Sequence, residues 1–472
     1  MKKHLLGTTA FAAASLAASG AMAQSLEDRI QTLEEQMLMG SPGSDFDISV
    51  SGWMQGGFFV QDIDPDTIGA AARYVGATGM EDYSDYDLKM SGAEVQFRAR
   101  TQLYNGITLG GRVELSGFTT RDQVDETYIW MESRFGRVIL GADDDVYNKM
   151  HYSVPFPSLN GVDSPNYRHT VATAVRAGTN SSLAGDSNKL SYFTPRIAGV
   201  QLGVSYTPHN GNRNGEANGF GARDLNSVSL ENVIGVGATF RRRLGGFWIG
   251  ASAGWQGGTS NVTYDPDGPD GRMFIRPGND ITDTFVVNRP VTGVTTDPSS
   301  WHIGGNVSGG GWKFGGAYAR YEGHGSPLTF DLRSGGENVI DLSNRIEQNA
   351  WAVGASYSIG PWTAGIGYFQ SEGEGRVEKV NLNGHRIADN ASPAAGTRDV
   401  SPETSVLGFG VSYKIARGVT VAADVAFYED DNGRSGYYDE TRAGPNEPAG
   451  DFVEQNAKVE AVGGGLILGI NF

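Results

Sequence analysis

The stretch Val459 to Phe472, VEAVGGGLILGINF, constrains this chain more than any other. Reading back from the end, Phe472, Ile470, Leu468 and Leu466 fall on one face of a strand, while Asn471, Gly469 and Gly465 keep most of the other face slim, Ile467 excepted. A strand with one apolar face and no chain behind it is a bare sheet edge. Pairing with the first strand of the same sheet removes that edge, so the stretch predicts a closed barrel.

Composition agrees with many short strands. Glycine, at 68 of 472 residues, has about twice its usual share. There is no cysteine, which excludes disulfide staples, thiolate metal sites, cysteine nucleophiles and an N-terminal lipidated cysteine. The formal charge of −17 is wrong for a nucleic-acid partner. It suits either a cavity that disfavours anions or acidic loops that keep the surface soluble.

Lys2 and Lys3, the apolar run Leu5 to Ala18 and Ala21-Met22-Ala23 before Gln24 form an export signal over residues 1–23. No later stretch has the roughly 18 uninterrupted apolar residues of a membrane-spanning helix, and the mean hydropathy is −0.32. Residues 24–44 hold a short helix and a linker. Leu26, Ile30, Leu33 and Met37 make its apolar seam, Ser25 with Asp28 a capping box, and Ser41-Pro42-Gly43-Ser44 its end. That seam wants a partner, either a second copy in a short coiled coil or the chain's own barrel.

From residue 45 onward the period is two. Ile48, Val50, Gly52, Met54 and Phe58 alternate with Ser49, Ser51, Gln55 and Gly57. Ala93, Val95, Phe97, Ala99 and Leu103 alternate with Glu94, Gln96, Arg98, Arg100 and Gln102. After Asn105-Gly106, Ile107, Leu109, Gly111, Val113 and Leu115 alternate with Thr108, Gly110, Arg112 and Glu114. Later hairpins turn at Pro195-Arg196, Gly245-Gly246, Gly309 to Gly311, Gly360-Pro361 and Arg417-Gly418. Between them run long Gly, Asp, Asn and Pro-rich stretches such as Asn210 to Asp224, Thr259 to Pro298 and Gly373 to Pro402. Short turns on one rim, long loops on the other and aromatic residues near strand ends describe an all-β transmembrane antiparallel barrel of about sixteen strands. Residues 45–472 form that single domain.

Val124 to Pro208 reads VDETYIWMESRFGRVILGADDD, then an insertion, then NKLSYFTPRIAGVQLGVSYTP. This resembles the general porins of Gram-negative bacteria, most closely the alpha-proteobacterial type, through the Phe135-Gly136 turn, the Leu140-Gly141 strand end and the Tyr192-x-x-Pro195-x-x-x-Gly199 hairpin. The resemblance implies an integral β-barrel of the outer membrane, with short periplasmic turns and long extracellular loops. It also implies a homotrimer, whose closing strand (Phe472, Ile470, Leu468, Leu466) is read by the barrel assembly machinery. The third loop, residues 143–186 here, would fold into the pore. Its acidic members Asp143, Asp144, Asp145 and Asp163, mixed with Arg168, Arg176 and His169, would face a wall of Arg98, Arg100 and Arg112. The alternation independently turns those arginines, with Glu94 and Glu114, inward. Where many such porins place Arg directly after the Leu-Gly strand end, this chain has Ala142 and three aspartates.

Catalytic patterns are wanting. No histidines stand at HExxH or paired zinc spacing, and Ser252 in Gly250-x-Ser252-x-Gly254 lies inside an alternating strand without the turn that exposes a nucleophile. His151 and His169 suit polar pore lining. Asp143 to Asp145 and Asp265-Pro266-Asp267-Gly268 could hold calcium or be solvated acidic loop; no other metal or cofactor is expected. The expectation is a non-enzymatic, water-filled diffusion channel for small hydrophilic solutes and ions, weakly cation-preferring, with outer-membrane lipid around it. Its alternatives are a sugar- or phosphate-specific channel, with Trp53, Phe59, Trp130 and Trp248 as inward aromatics, and an envelope tether built on the N-terminal helix.

Overall fold

The computed structural model describes residues 46–65, 83–103, 106–117, 123–157, 162–163, 178–210, 230–260, 273–275, 285–287, 297–322, 329–330, 340–341, 347–378, 397–400, 403–439 and 451–472. The export signal and the helix expected over residues 24–44 lie outside them.

Sixteen strands form the barrel: β1 (Asp47–Pro65), β2 (Tyr83–Gln102), β3 (Thr108–Ser116), β4 (Val124–Ser133), β5 (Gly136–Ala142), β6 (Asn188–Phe193), β7 (Val200–His209) and β8 (Leu230–Leu244), followed by β9 (Phe247–Ser260), β10 (Ser299–Gly309), β11 (Trp312–Glu322), β12 (Glu347–Ile359), β13 (Trp362–Glu378), β14 (Glu403–Ala416), β15 (Val419–Asp439) and β16 (Asp451–Asn471). Each pairs antiparallel with its neighbours in sequence, and β16 pairs with β1, Trp53 opposite Asn471 and Phe58 opposite Leu466. Gly52 and Phe472 exchange backbone hydrogen bonds at 2.9 and 3.0 Å and seal the seam. Closure satisfies the backbone of every wall strand within the membrane, where no water can.

Several strands run further than the alternation suggests. β2 starts at Tyr83, ten residues before Ala93, because a bulge at Gln55/Gly56 lets it pair with β1 in a shifted register. β13 continues to Glu378, into the stretch Gly373 to Pro402 expected as loop, and β16 starts at Asp451, ahead of the expected Val459. Beyond the bilayer both strand faces are wet, so the two-residue period fades while the hydrogen-bonded ladder persists.

The outer face is apolar and uncovered: Leu88 is 78% exposed and Ile129 62%, values that a sheet in contact with lipid tolerates. On β10 to β14 this face carries two aromatic girdles. Trp301–Tyr318 and Trp351–Tyr368 pair toward the loop rim at 5.3 and 5.0 Å between ring centroids. Trp312–Tyr357 and Trp362–Tyr413 pair toward the turn rim at 4.7 and 4.6 Å. At the two-residue hairpin between β10 and β11, Gly310 and Gly311 both take positive φ, +60° and +87°, the conformation such a turn demands. Among the described residues an apolar cluster lies inside the barrel, where Val162, with Val154 and Phe156 packed beside it, meets Ala319, Tyr321, Ala350, Ala352, Phe369 and Val406 of the wall.

Candidate functional site

Those three residues belong to the segment joining β5 to β6, whose described residues, 143–157, 162–163 and 178–187, lie inside the barrel as a strap. It leaves the wall at Asp143 to Asp145, makes one helical turn, α1 (Val146–Lys149), and then follows the inner wall from β7 to β14. Glycine makes room for it. On the lumen face, Gly237 lies under Met150, and Gly250 and Gly304 under Tyr152. Gly315 and Gly354 lie under Pro155, Gly365 under Pro157, and Gly367 and Gly408 under Phe156 and Val162. A Cβ at Gly315 would stand 2.8 Å from Pro155 and one at Gly408 2.9 Å from Phe156. The strap is seated where the wall has no side chains.

Hydrogen bonds fix it there. Asp145 caps α1, its Oδ1 accepting from the Asn148 amide at 2.8 Å, and Ser182 donates to its Oδ2 at 3.0 Å. The Tyr152 amide donates to Ser252 Oγ at 3.0 Å, and His302 Nε2 to the Tyr147 carbonyl at 2.9 Å. The return arm is held by Gln256, whose amide accepts from Leu183 and donates to the Ser181 carbonyl, both at 2.8 Å. Tyr321 Oη accepts from the Ser181 amide at 3.0 Å and donates to the Gly178 carbonyl. Lys189, 2% exposed on β6, donates to the Asp143 carbonyl and to the Gly185 carbonyl, and so ties the two roots together.

Asp143 and Asp145, at 0% and 1% exposure, form part of this buried root. Lys149 pairs with the Asp143 carboxylate at 2.5 Å. Burial pushes the Asp143 and Asp145 carboxyls up. Asp144 is raised to about 6, by burial first and then by the Asp186 carboxylate. Burial works against the charge of Lys149, but the Asp143 carboxylate outweighs it and holds the ammonium above its usual range. Asp163 accepts from Ser153 Oγ at 2.5 Å and from the Thr179 amide at 3.1 Å, and burial raises it too. His151 packs edge-on against His302 at 4.7 Å and is pushed down to about 3, by burial and then by that neighbour. Arg168, Arg176, His169 and Asp265 to Gly268 lie outside the described residues.

The facing wall divides in two. Arg112 is enclosed by carboxylates: Glu126 at 3.3 Å, Glu94 at 3.8 Å and Glu114 in direct ion pair. The oxygens of Glu94, Glu114 and Asp125 lie within 4.8 Å of one another. Wall and strap meet at Tyr128, whose ring has Arg112 Cζ at 5.9 Å and Lys149 Nζ at 5.7 Å. Arg98 and Arg100 stand apart from this cluster, toward the turn rim and exposed. Arg98 donates to Gln96 at 2.8 Å, and Arg100 lies 3.4 Å from Asp47. Cross-strand register places Trp53, Phe59, Trp130 and Trp248 on the lumen face.

Sequence reading missed Lys189, Gln256, His302 and Tyr321, each inward on a strand and each bonded to the strap. A signal was present: the inward positions of β8 to β14 are repeatedly glycine, a pattern that leaves a wall bare for something to lie on.

A closed sheet of sixteen strands with an apolar outside, a polar inside and a loop turned inward has the form of an outer-membrane channel. The chain belongs to the Gram-negative porin family, whose sequence pattern matches residues 8–433. Two uncharacterized Rickettsia proteins are similar to it, in agreement with the alpha-proteobacterial type. That of Rickettsia felis is 24% identical over 155 residues, 27% of this chain and 34% of that one. That of Rickettsia prowazekii is 25% identical over 166 residues, 29% and 36%. The chain thus spans about a third of the length of the curated relatives it matches. The outer membrane protein OmpT of Vibrio cholerae, folded in vitro, shares the fold at 13% identity and a TM-score of 0.50, covering 92% of this chain and 100% of that one.

Proposed function

We propose that this outer-membrane barrel is a passive channel for small hydrophilic solutes and ions, assembled as a homotrimer, with weak cation preference. The observation that carries the reading is the strap. A loop bonded to the inner wall through both arms narrows a lumen without closing a binding pocket around one ligand. The cation preference is assigned to Glu94, Glu114, Asp125 and Glu126 around the single Arg112, since a ring of carboxylates at a narrowing favours cations. Asp143 and Asp145 contribute less, being buried and matched by Lys149 and Lys189.

Single-channel recording across a salt gradient tests it. Conductance steps in threes, a cation-sign reversal potential and a smaller one in Glu94→Gln/Glu114→Gln are the expected results. Saturable block by a sugar at low concentration would replace the reading with a substrate-specific channel, and absence of conductance would overturn it.

A further inference from the structure

The charges of the wall are sorted along its axis. Around Arg112 the inward groups are mainly carboxylates, whereas the turn rim is basic. Arg137 on β5, Arg196 in the turn between β6 and β7, and Arg241 and Arg243 on β8 form an arc on neighbouring strands. Arg241 and Arg243 follow Thr239 at two-residue steps on its lumen face, and Arg196 Nη2 donates to Thr239 Oγ1 at 3.1 Å, which draws the turn's guanidinium to the same face. Lys313 on β11, opposite Ser308, extends the arc around the mouth.

Among the described residues these cations have no carboxylate partner. Arg196 bonds only neutral acceptors, the Gly199 carbonyl at 2.9 Å, Gln201 Oε1 at 2.7 Å and Thr239. Arg137 lies 4.7 Å over the Trp130 ring and Arg241 5.1 Å over the Trp248 ring. Among the described residues of the turn rim the carboxylates are Asp47, beside Arg100, and Glu132, opposite Arg137 in register without an ion pair between them. Guanidiniums with forked donors, partly backed by aromatic rings and facing a confined aqueous mouth, are suited to oxyanions with several charged groups.

We infer that the turn-rim mouth is a binding vestibule for multivalent oxyanions of the polyphosphate or polycarboxylate class, which makes the channel electrically polar from one mouth to the other. This rests on the channel reading, and it adds a bound solute and a direction. The sequence before β1 carries Glu27, Asp28, Glu34, Glu35 and Asp45 and one cation, Arg29, so the test uses a chain that keeps it.

Inorganic tripolyphosphate is the probe, added to one side of a planar bilayer at a time in low salt. Because the chain has no cysteine, Gly246→Cys in the turn between β8 and β9, labelled with biotin and blocked by avidin, reports the orientation of each inserted channel. Block from the turn side at a concentration about tenfold lower than from the loop side is expected. It should weaken at least tenfold in Arg196→Gln/Arg241→Gln/Arg243→Gln and fade in 0.5 M salt as the charges are screened. Equal block from both sides, or block unchanged in the variant, overturns the inference while leaving the channel standing. Calorimetric titration of tripolyphosphate into the detergent-solubilised barrel, wild type against Arg243→Glu alone, decides the matter independently of conductance. Equal heats in the two proteins overturn it as well.

Discussion

Lys189 Nζ lies 2.7 Å from the Gly185 carbonyl and also donates to the Asp143 carbonyl, so one ammonium spans the two ends of the strap. Replacing it with Met leaves both carbonyls and the nearby carboxylates without their cation. Removing one partner of a buried charged cluster costs about 3–5 kcal/mol. Expected in Lys189→Met are frequent substates in single-channel records and faster proteolysis within residues 143–187, with Lys189→Arg recovering most of the quiet behaviour. Steady openings like those of the wild type would show that the tie is dispensable.

Gly408→Leu asks whether the bare wall is required. A side chain there meets Phe156 and Val162 of the strap. Overpacking of this kind costs about 1–3 kcal/mol, relieved here by lifting the strap toward the axis. Lower conductance with unchanged barrel content by circular dichroism is the expected pair of results.

Among the groups that burial shifts, Asp144 sets a pH-dependent expectation. Asp144 takes its proton near pH 6 in the folded protein against an ordinary 3.8. A carboxyl raised on folding leaves stability intact below about pH 4 and removes it as pH rises toward 6, by roughly 3 kcal/mol. The thermal stability of Asp144→Asn should therefore gain on that of the wild type as pH rises over that window. His151, pushed down to about 3, is neutral in the folded protein over that window while the unfolded imidazole takes a proton below its ordinary 6.5, so its contribution has the opposite sign and stability rises with pH; His151→Asn should lose that rise relative to the wild type.

The seam between Gly52 and Phe472 sets a fourth expectation. Deleting Phe472 removes both of its backbone bonds to Gly52 and the ring that stands over that glycine. The yield of heat-modifiable barrel on gels should drop severalfold, whereas deleting the same bulk from an outer-face residue such as Ile303 should spare it. Equal yields would mean that the terminal ring is not needed for closure.

Much of this was legible in the residues. Alternation at Ile48 to Phe58 and at Ala93 to Glu114 gave the strands, their inward faces and the parity of Arg98, Arg100 and Arg112. The hairpin signals gave an even count, and the apolar parity of Leu466 to Phe472 gave the partner of β1. What stayed hidden was tertiary. Nothing local distinguishes Arg112, enclosed by Glu94, Glu114 and Glu126, from Arg98, whose charge meets only Gln96. Asp143 and Asp145 read as exposed acids because the lysine that meets Asp143's backbone stands far along the chain at Lys189.

The pairing of Trp53 with Asn471 also bears on the order of events as the protein forms. β1 is made early, yet the strand that completes it arrives about four hundred residues later. Contacts so distant in sequence make for slow folding, and the half-built sheet keeps two open edges throughout. A chain of this kind needs a companion to hold it apart from its own kind until the final strand arrives, and any pause late in synthesis lengthens that exposure.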